Sequence, residues 1–414
     1  MPEQQFDIAV IGAGIVGVST ALWAAMRGKS VIVIDPESPG SGASFGNACT
    51  IATYGCLPIN SPSIYRRLPR LLTDPESPLA FDWFYAAQHP RWMLSFLVNC
   101  RPAAVDHITK ANAILLSHAD AGLNPLIAEA DAQDLMVEND VLYLYSTKAG
   151  FEGARQGIQK RRDLGVALDV LDAAEIKELE PQLRFEAVKG LRFNGARHIS
   201  SPQTMIMRMM SRALAIGARH CAKTARKITE ETDCARVHLS DGINVKATHV
   251  VIAAGAHARS ITGSGAEKLP LDTERGYHVM FPDDGAKLSR PCGWEEAGFY
   301  AVPMADGLRF AGTVEIAGLK KPHNRRRTQY IETRANRMIR DLGRVGDTWM
   351  GFRPTFPDSL PAIGKSPKNG RVFHAFGHQH LGLTLGGITG RTIVDLIEGK
   401  RPNFDLSPYD PGRF

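Results

Sequence analysis

No stretch of the 414-residue chain approaches the ~18 uninterrupted apolar residues of a membrane-spanning helix. Cysteine is scarce. Cys49, Cys56, Cys100, Cys221, Cys234 and Cys292 are the only six, without close paired-ligand spacing. Reduced thiols are expected, and a metal site is not. A strong charge bias is also missing: 49 basic against 43 acidic side chains leave a net charge of +6. The basic residues are dispersed apart from Arg66, Arg67 and Arg70 and the run Arg325-Arg326-Arg327. No recognised motif accompanies them, so nucleic acid is excluded as a partner. The opening Met1-Pro2-Glu3-Gln4-Gln5-Phe6 lacks the positive-then-apolar plan of a secretory signal. These absences point to a soluble, cytoplasmic protein. With 44% apolar and 22% charged residues, the length suits two or three domains' worth of chain.

The strongest local signal comes first in the chain. Phe6 to Ile11 is a short apolar strand candidate, followed at once by Gly12-Ala13-Gly14-Ile15-Val16-Gly17 and an Ala-rich helical stretch. Ser30 to Ile34 reads as a second buried strand and ends in Asp35-Pro36. This is the strand, glycine turn, helix, strand, acid order of a dinucleotide site. Gly12 allows the tight turn, Gly14 admits the pyrophosphate, and Gly17 lets helix pack on strand. The helix start offers free N–H groups to the phosphates. Asp35, 18 residues beyond Gly17, is placed to accept from the adenosine ribose. The following Ser38 to Ala48 is rich in small residues, including Ser41, Ala43, Ser44, Asn47 and Ala48. It suits either backbone contact with a planar ring or an ordinary flexible loop.

Beyond Cys49 the pattern changes. Pro58, Pro62, Pro69, Pro75, Pro78 and Pro90 argue against a regular βαβ continuation. Helices are expected over 90–99, 103–119, 150–164, 172–180 and 203–216, and a charged, solvated one over 325–340. Trp92, Met93, Leu94, Phe96 and Leu97 suit a core, a subunit contact or a membrane-touching patch. Strands are expected over 137–146, 190–199, 222–239, 277–281, 298–302 and 308–312. Thr248 to Ala256 reads as a buried strand whose small ending, Ala254-Gly255, suits a backbone packed on the nucleotide.

Near the C-terminus, Trp349 to Gly364 carries Arg353 within an apolar, proline-stiffened segment. A guanidinium there needs a partner, because an unpaired buried charge is expensive. It serves either as a two-point clamp for a carboxylate or as the mate of Asp358 or another acid. A strand over 371–376 then leads through Gly377-His378-Gln379-His380-Leu381-Gly382-Leu383-Thr384 into a helix. That helix start offers N–H groups to an anionic ring edge. His378 and His380 lack a third nearby ligand, so no metal is expected.

Taken together, Gly12/Gly14/Gly17 with Asp35, Ser41 to Ala48, Glu274-Arg275-Gly276-Tyr277-His278, Gly351-Phe352-Arg353-Pro354 and Gly377 to Thr384 resemble the FAD-dependent D-amino-acid oxidase superfamily. The likeness spans essentially the whole chain and is greatest to the bacterial D-amino-acid dehydrogenase small-subunit-like group. It implies an α/β fold: a dinucleotide-binding FAD domain of glutathione-reductase-like type beside an α+β substrate domain on a mostly antiparallel sheet. Segments 1–56, 148–189, 201–268 and 346–414 are assigned to the first domain, and 57–147, 190–200 and 269–345 to the second.

The resemblance also implies site roles. Arg353 would hold a substrate carboxylate, with Tyr54, Tyr277, His278, Tyr300 and His378 around the pocket. His380, Leu381, Gly382, Leu383 and Thr384 join the glycine turn, Asp35-Pro36, the small-residue loop and Ala254-Gly255 as cofactor contacts. Some relatives attach flavin to a cysteine near the arginine segment; Gly351 to Asp358 has none, so a non-covalent FAD is expected. The implied reaction is hydride transfer from the α-carbon of a free or cyclic D-amino acid, D-proline or hydroxy-D-proline included, to flavin N5. The expected acceptor is a quinone or partner protein, which makes the enzyme a dehydrogenase, with oxygen and an oxidase as the alternative. Glycine, sarcosine or L-pipecolate-like oxidation and a non-catalytic FAD subunit of a larger dehydrogenase are the alternatives. Peripheral association with the inner face of the membrane and an oligomeric or hetero-oligomeric assembly complete the expectations.

Overall fold

The computed structural model describes residues 5–65 and 77–414. Arg66, Arg67, Arg70, Pro69 and Pro75 lie outside them. Val31–Ile34 is buried at every position, the signature of a strand covered on both faces. It pairs in parallel with Gln5–Ile11, which pairs in parallel with Asn244–Ile252. Arg219–Cys221 and Val372–Phe376 extend this parallel core. Ala225–Glu230, Ala235–Leu239 and Ala362–Lys365 add antiparallel edges to the eight-stranded sheet.

Three helices meet beside this sheet through their small residues. The first helix, Ile15–Met26, packs on the last, Gly382–Ile397. A Cβ on Gly390 would sit 2.6 Å from the Thr20 nitrogen, and one on Gly386 2.8 Å from the Ile15 side chain. Gly387 likewise abuts Gly122 of Ala119–Glu129. Trp23 Nε1 donates to both the Gly122 and Gly387 carbonyls, at 3.1 and 3.2 Å. Side chains from 108–135 therefore share one apolar core with the nucleotide sheet. Their assignment to the substrate domain is corrected: the helices 102–129 bury their apolar faces where glycine permits close approach.

The second sheet has nine strands, in the order Thr348–Thr355, Asp272–Phe281, Gly307–Ile316, Phe299–Met304, Cys292–Trp294, Val141–Tyr145, Lys189–Phe193, Leu168–Leu171, with Leu79–Phe81 beside Gly307–Ile316. Its pairings are antiparallel except Cys292–Trp294 with Val141–Tyr145 and Leu79–Phe81 with Gly307–Ile316. Two boundaries move in consequence. Leu168–Leu171, expected with the nucleotide half, pairs with Lys189–Phe193 in this sheet. Thr348–Thr355 lies beside Asp272–Phe281, so Arg353 belongs to the roof sheet rather than to the C-terminal nucleotide segment.

The charged helix Arg325–Met338 is only partly solvated. Ile331, Ala335 and Met338 are buried in the roof core, and Arg327 reaches inward to the Ser77 and Pro78 carbonyls. In Pro90–Val98, Trp92 and Phe96 stack on each other at 5.6 Å and are buried, while Leu94 and Val98 are exposed. Among the described residues, no helix is long and apolar enough to cross a membrane.

Candidate active site

Between the two sheets lies a cavity of about 920 Å³. At one end Gly12 adopts φ +111°, and a Cβ there would collide with the Ala253 carbonyl. Gly17 has no room for a side chain against the Gly12 carbonyl; it packs helix on strand and is off the cavity wall. Asp35 is fixed at the wall by two backbone donors, Ala13 N–H at 2.7 Å and Glu37 N–H at 2.9 Å. Ile15 N–H donates to Ser44 Oγ at 3.0 Å, which ties the small-residue loop to the helix start. Ile15, Val16, Pro36, Ser41, Ala43, Ser44, Asn47, Ala48, Ala254 and Gly255 all line the cavity.

The small-residue loop is held from the roof. Arg309 is 2% exposed, and its Nη1 donates to the Phe45 carbonyl at 2.8 Å and the Asn47 carbonyl at 3.4 Å. Its guanidinium also lies over the Phe45 ring and contacts Cys49 Sγ. Burial pushes the Cys49 thiol up to about 11 against the pull of Arg309, so the thiol stays protonated. Trp349 covers Gly46 and Gly351, neither of which has space for a Cβ beneath the indole. Arg309 went unrecognised from the sequence alone, though a charge inside the apolar Leu308-Arg309-Phe310 invited the same reasoning as Arg353.

At the other end stands Arg353. Its Nη1 donates to the Thr313 carbonyl at 3.0 Å, and its guanidinium stacks against the backbone of Gly276. Among the described residues no carboxylate pairs with it. Asp358, its expected alternative mate, is held by Arg413 at 2.7 Å. Burial pulls the Arg353 pKa below the usual arginine range, and Glu274 opposes that pull. Glu274 faces Arg353 across the strands, buried, with Oε2 unpartnered. Burial pushes its carboxyl up to about 7, against Arg353 and a hydrogen bond with Thr355.

Of the expected pocket residues, Tyr54, Tyr300 and His378 line the cavity. Tyr54 stacks on Phe193 at 4.0 Å, and Tyr300 on Tyr143 at 5.7 Å. His378 Nε2 lies 2.9 Å from Thr389 Oγ1, and burial drives its pKa down to about 3, so it is a neutral brace. Tyr277 and His278 are corrected: neither reaches the cavity. Tyr277 Oη donates to Glu315 within the roof core. His278 Nδ1 contacts the Gly46 carbonyl, and burial lowers its pKa to about 3. Two cofactor candidates are corrected as well. Leu381 faces the main core, and Thr384 Oγ1 accepts from Ala52 N–H at 2.9 Å. Their neighbours His380, Gly382 and Leu383 form the wall. Tyr143, Phe193 and Arg161, unanticipated from the sequence, complete it.

The cavity accepts an elongated dinucleotide. Its glycine turn leaves space where a Cβ would intrude, Asp35 supplies an acceptor, and the wall beside the last helix is built from small residues and backbone. Residues 7–396 match the FAD dependent oxidoreductase family, DAO. The chain is 33% identical to the D-amino-acid oxidase of Bradyrhizobium diazoefficiens, with both chains covered in full. It is 29% identical to the D-amino acid dehydrogenase of Paramagnetospirillum magneticum over 98% of each. Its fold is shared with glycine oxidase from Geobacillus kaustophilus, at TM-score 0.77 and 21% identity over 99% of each chain. Iminodiacetate oxidase from Chelativorans sp. BNC1 superposes at TM-score 0.71 and 19% identity, over 98% of each. A match over almost its entire length, with a glycine-lined cradle at the expected turn, makes this chain an FAD-dependent oxidoreductase of the DAO family.

Proposed function

We propose that the protein oxidises the C–N bond of an amino acid of D configuration, with the substrate carboxylate held by Arg353. One observation carries this reading. Arg353 is a deeply placed guanidinium on the cavity wall with, among the described residues, a single protein acceptor, the Thr313 carbonyl. Its remaining N–H groups are available to a planar anion, a geometry suited to a two-point carboxylate clamp. The D-specific names of the two sequence relatives support the configuration.

The non-covalently bound FAD supplies the two-electron acceptor. The chain's own residues orient the substrate and exclude water. Thr313 fixes the guanidinium, and Tyr54 and Tyr300 wall the pocket. Among the described lining residues, the only carboxylates are Asp35 and Glu37, at the nucleotide end. His378 is held neutral by burial, with a pKa of about 3, and the His380 pKa is lowered by desolvation and by Arg353, although its ring opens onto the cavity. No side chain is therefore placed as a strong base at the substrate end. The amine enters having released its proton to solvent, and the imine product hydrolyses or, from a cyclic substrate such as D-proline or hydroxy-D-proline, remains in its ring.

Anaerobic bleaching of the bound flavin by paired D- and L-amino acids tests the reading. D-specific bleaching supports it, and bleaching by L-amino acids alone overturns the configuration. A quinone or partner protein is the proposed acceptor; rapid reoxidation of the reduced enzyme by air in place of a quinone analogue would assign that role to oxygen.

A further inference from the structure

Arg161, near the end of the helix Lys148–Asp163, lines the same cavity as Arg353. Lys160, next to it, faces Asp106, and Arg192 binds Asp169 at 2.7 Å. Arg161 has no carboxylate within ion-pair distance among the described residues. It is steadied instead by the Tyr54 carbonyl, 3.3 Å from Nε, and by the Phe193 ring, 5.7 Å from the guanidinium carbon. These contacts hold the group in place and leave most of its N–H donors unused.

Its surroundings are those of an anion subsite. Burial pushes the pKa values of Tyr54, Tyr143 and Tyr300 up and keeps the phenols protonated, while Arg161 pulls each the other way and so lies within electrostatic reach of all three. Tyr54 Oη is buried beside Thr50 and Tyr300, without a well-aligned hydrogen bond among the described residues. The nearby acid, Glu295, is engaged by Tyr143 Oη and does not neutralise Arg161. Tyr300 pairs with Ala311, two residues before the Thr313 that fixes Arg353. Both arginines therefore line the one cavity, with Tyr300 on the strand beside the one that carries Thr313.

We propose that Arg161, with the Tyr54 hydroxyl, binds a second anionic group of the substrate, making an acidic D-amino acid with a side-chain carboxylate the preferred class. This rests on the reading in which Arg353 takes the α-carboxylate. An uncompensated cation costs least when its ligand brings the missing charge, and a neutral side chain leaves it unpaired.

Isosteric pairs provide the test. The holoenzyme is assayed anaerobically with D-aspartate against D-asparagine, D-glutamate against D-glutamine, and D-2-aminoadipate to read the spacing. The better acid is expected to exceed its amide in the second-order rate of flavin bleaching by about tenfold or more. Arg161→Gln is expected to bring that ratio towards one, and Arg161→Lys to retain part of it. If neutral D-amino acids bleach the flavin and the acids do no better than their amides, the subsite is wrong while the carboxylate-anchored reaction stands. A strong preference for the acid that survives Arg161→Gln would overturn the subsite in the same way. If no amino acid in the panel bleaches the flavin, both readings fall.

Discussion

Glu274 and Arg353 stand directly opposite one another on adjacent antiparallel strands, yet they form no ion pair. The carboxyl is buried behind the cavity wall and titrates near 7, whereas the guanidinium opens into the cavity. Neutral Glu274 leaves the positive charge of Arg353 available to an anion. Ionised Glu274 competes with that anion.

A pH dependence follows. As pH rises through about 7, Glu274 gains its charge, and the Kd of a carboxylate inhibitor that lacks an amine should rise about tenfold. Glu274→Gln should remove that limb from the profile of log Kd against pH. Stability follows the same group. Its folded pKa lies above its ordinary value of 4.5, so its contribution is fully present below that value. It is lost as pH climbs towards 7, by an amount on the order of 2–3 kcal/mol. Urea melts at several pH values should show that loss in the parent and not in Glu274→Gln.

Removing Arg353 should act through the carboxylate alone. Arg353→Leu is expected to cost about 2–5 kcal/mol in kcat/KM for an amino acid. The decarboxylated amine should be far less affected. Equal losses on the two substrates would take Arg353 out of the clamp.

Arg309 should matter without touching substrate. Arg309→Met strands the Phe45 and Asn47 carbonyls beneath the roof and should destabilise the protein by about 2–4 kcal/mol. Thermal melting with and without added FAD would show whether the loss concentrates in the flavin-bound form, as a loosened ring loop requires.

Gly12→Ala should abolish cofactor retention. A methyl at φ +111° is strained and meets the Ala253 carbonyl, so the turn must open. The purified variant should lose most of its visible flavin absorbance, while Gly28→Ala, also at positive φ but in open space, should keep it.

The nucleotide end was legible because its information is local. Strand, turn, helix and acid lie within 35 residues, and each glycine answers to a neighbour close in sequence or in the parallel sheet. Arg353 was visible for a different reason: a charge in an apolar segment demands an explanation. Its acceptor Thr313 and opposing Glu274 lie far away in sequence, and no pattern around Arg353 named either. The motif 274–278 shows the limit of reading by proximity. Alternation along a strand turns Gly276 to the cavity and Tyr277 into the roof core, while His278 is covered by the ring loop. One step along the last helix turns Thr384 off the wall that Leu383 lines, towards the Ala52 N–H.

Composition and short-range pattern thus carried the dinucleotide turn, the order of its strands along the chain and the significance of Arg353, since backbone geometry and desolvation act on a residue whatever its distant neighbours. Pairing between strands that meet across hundreds of residues settled the rest: the sheet that owns Arg353, the face each motif residue shows, and the meeting of Arg161 with the tyrosines in one cavity. Such pairings answer to the packing of whole faces, and no single segment encodes its partner.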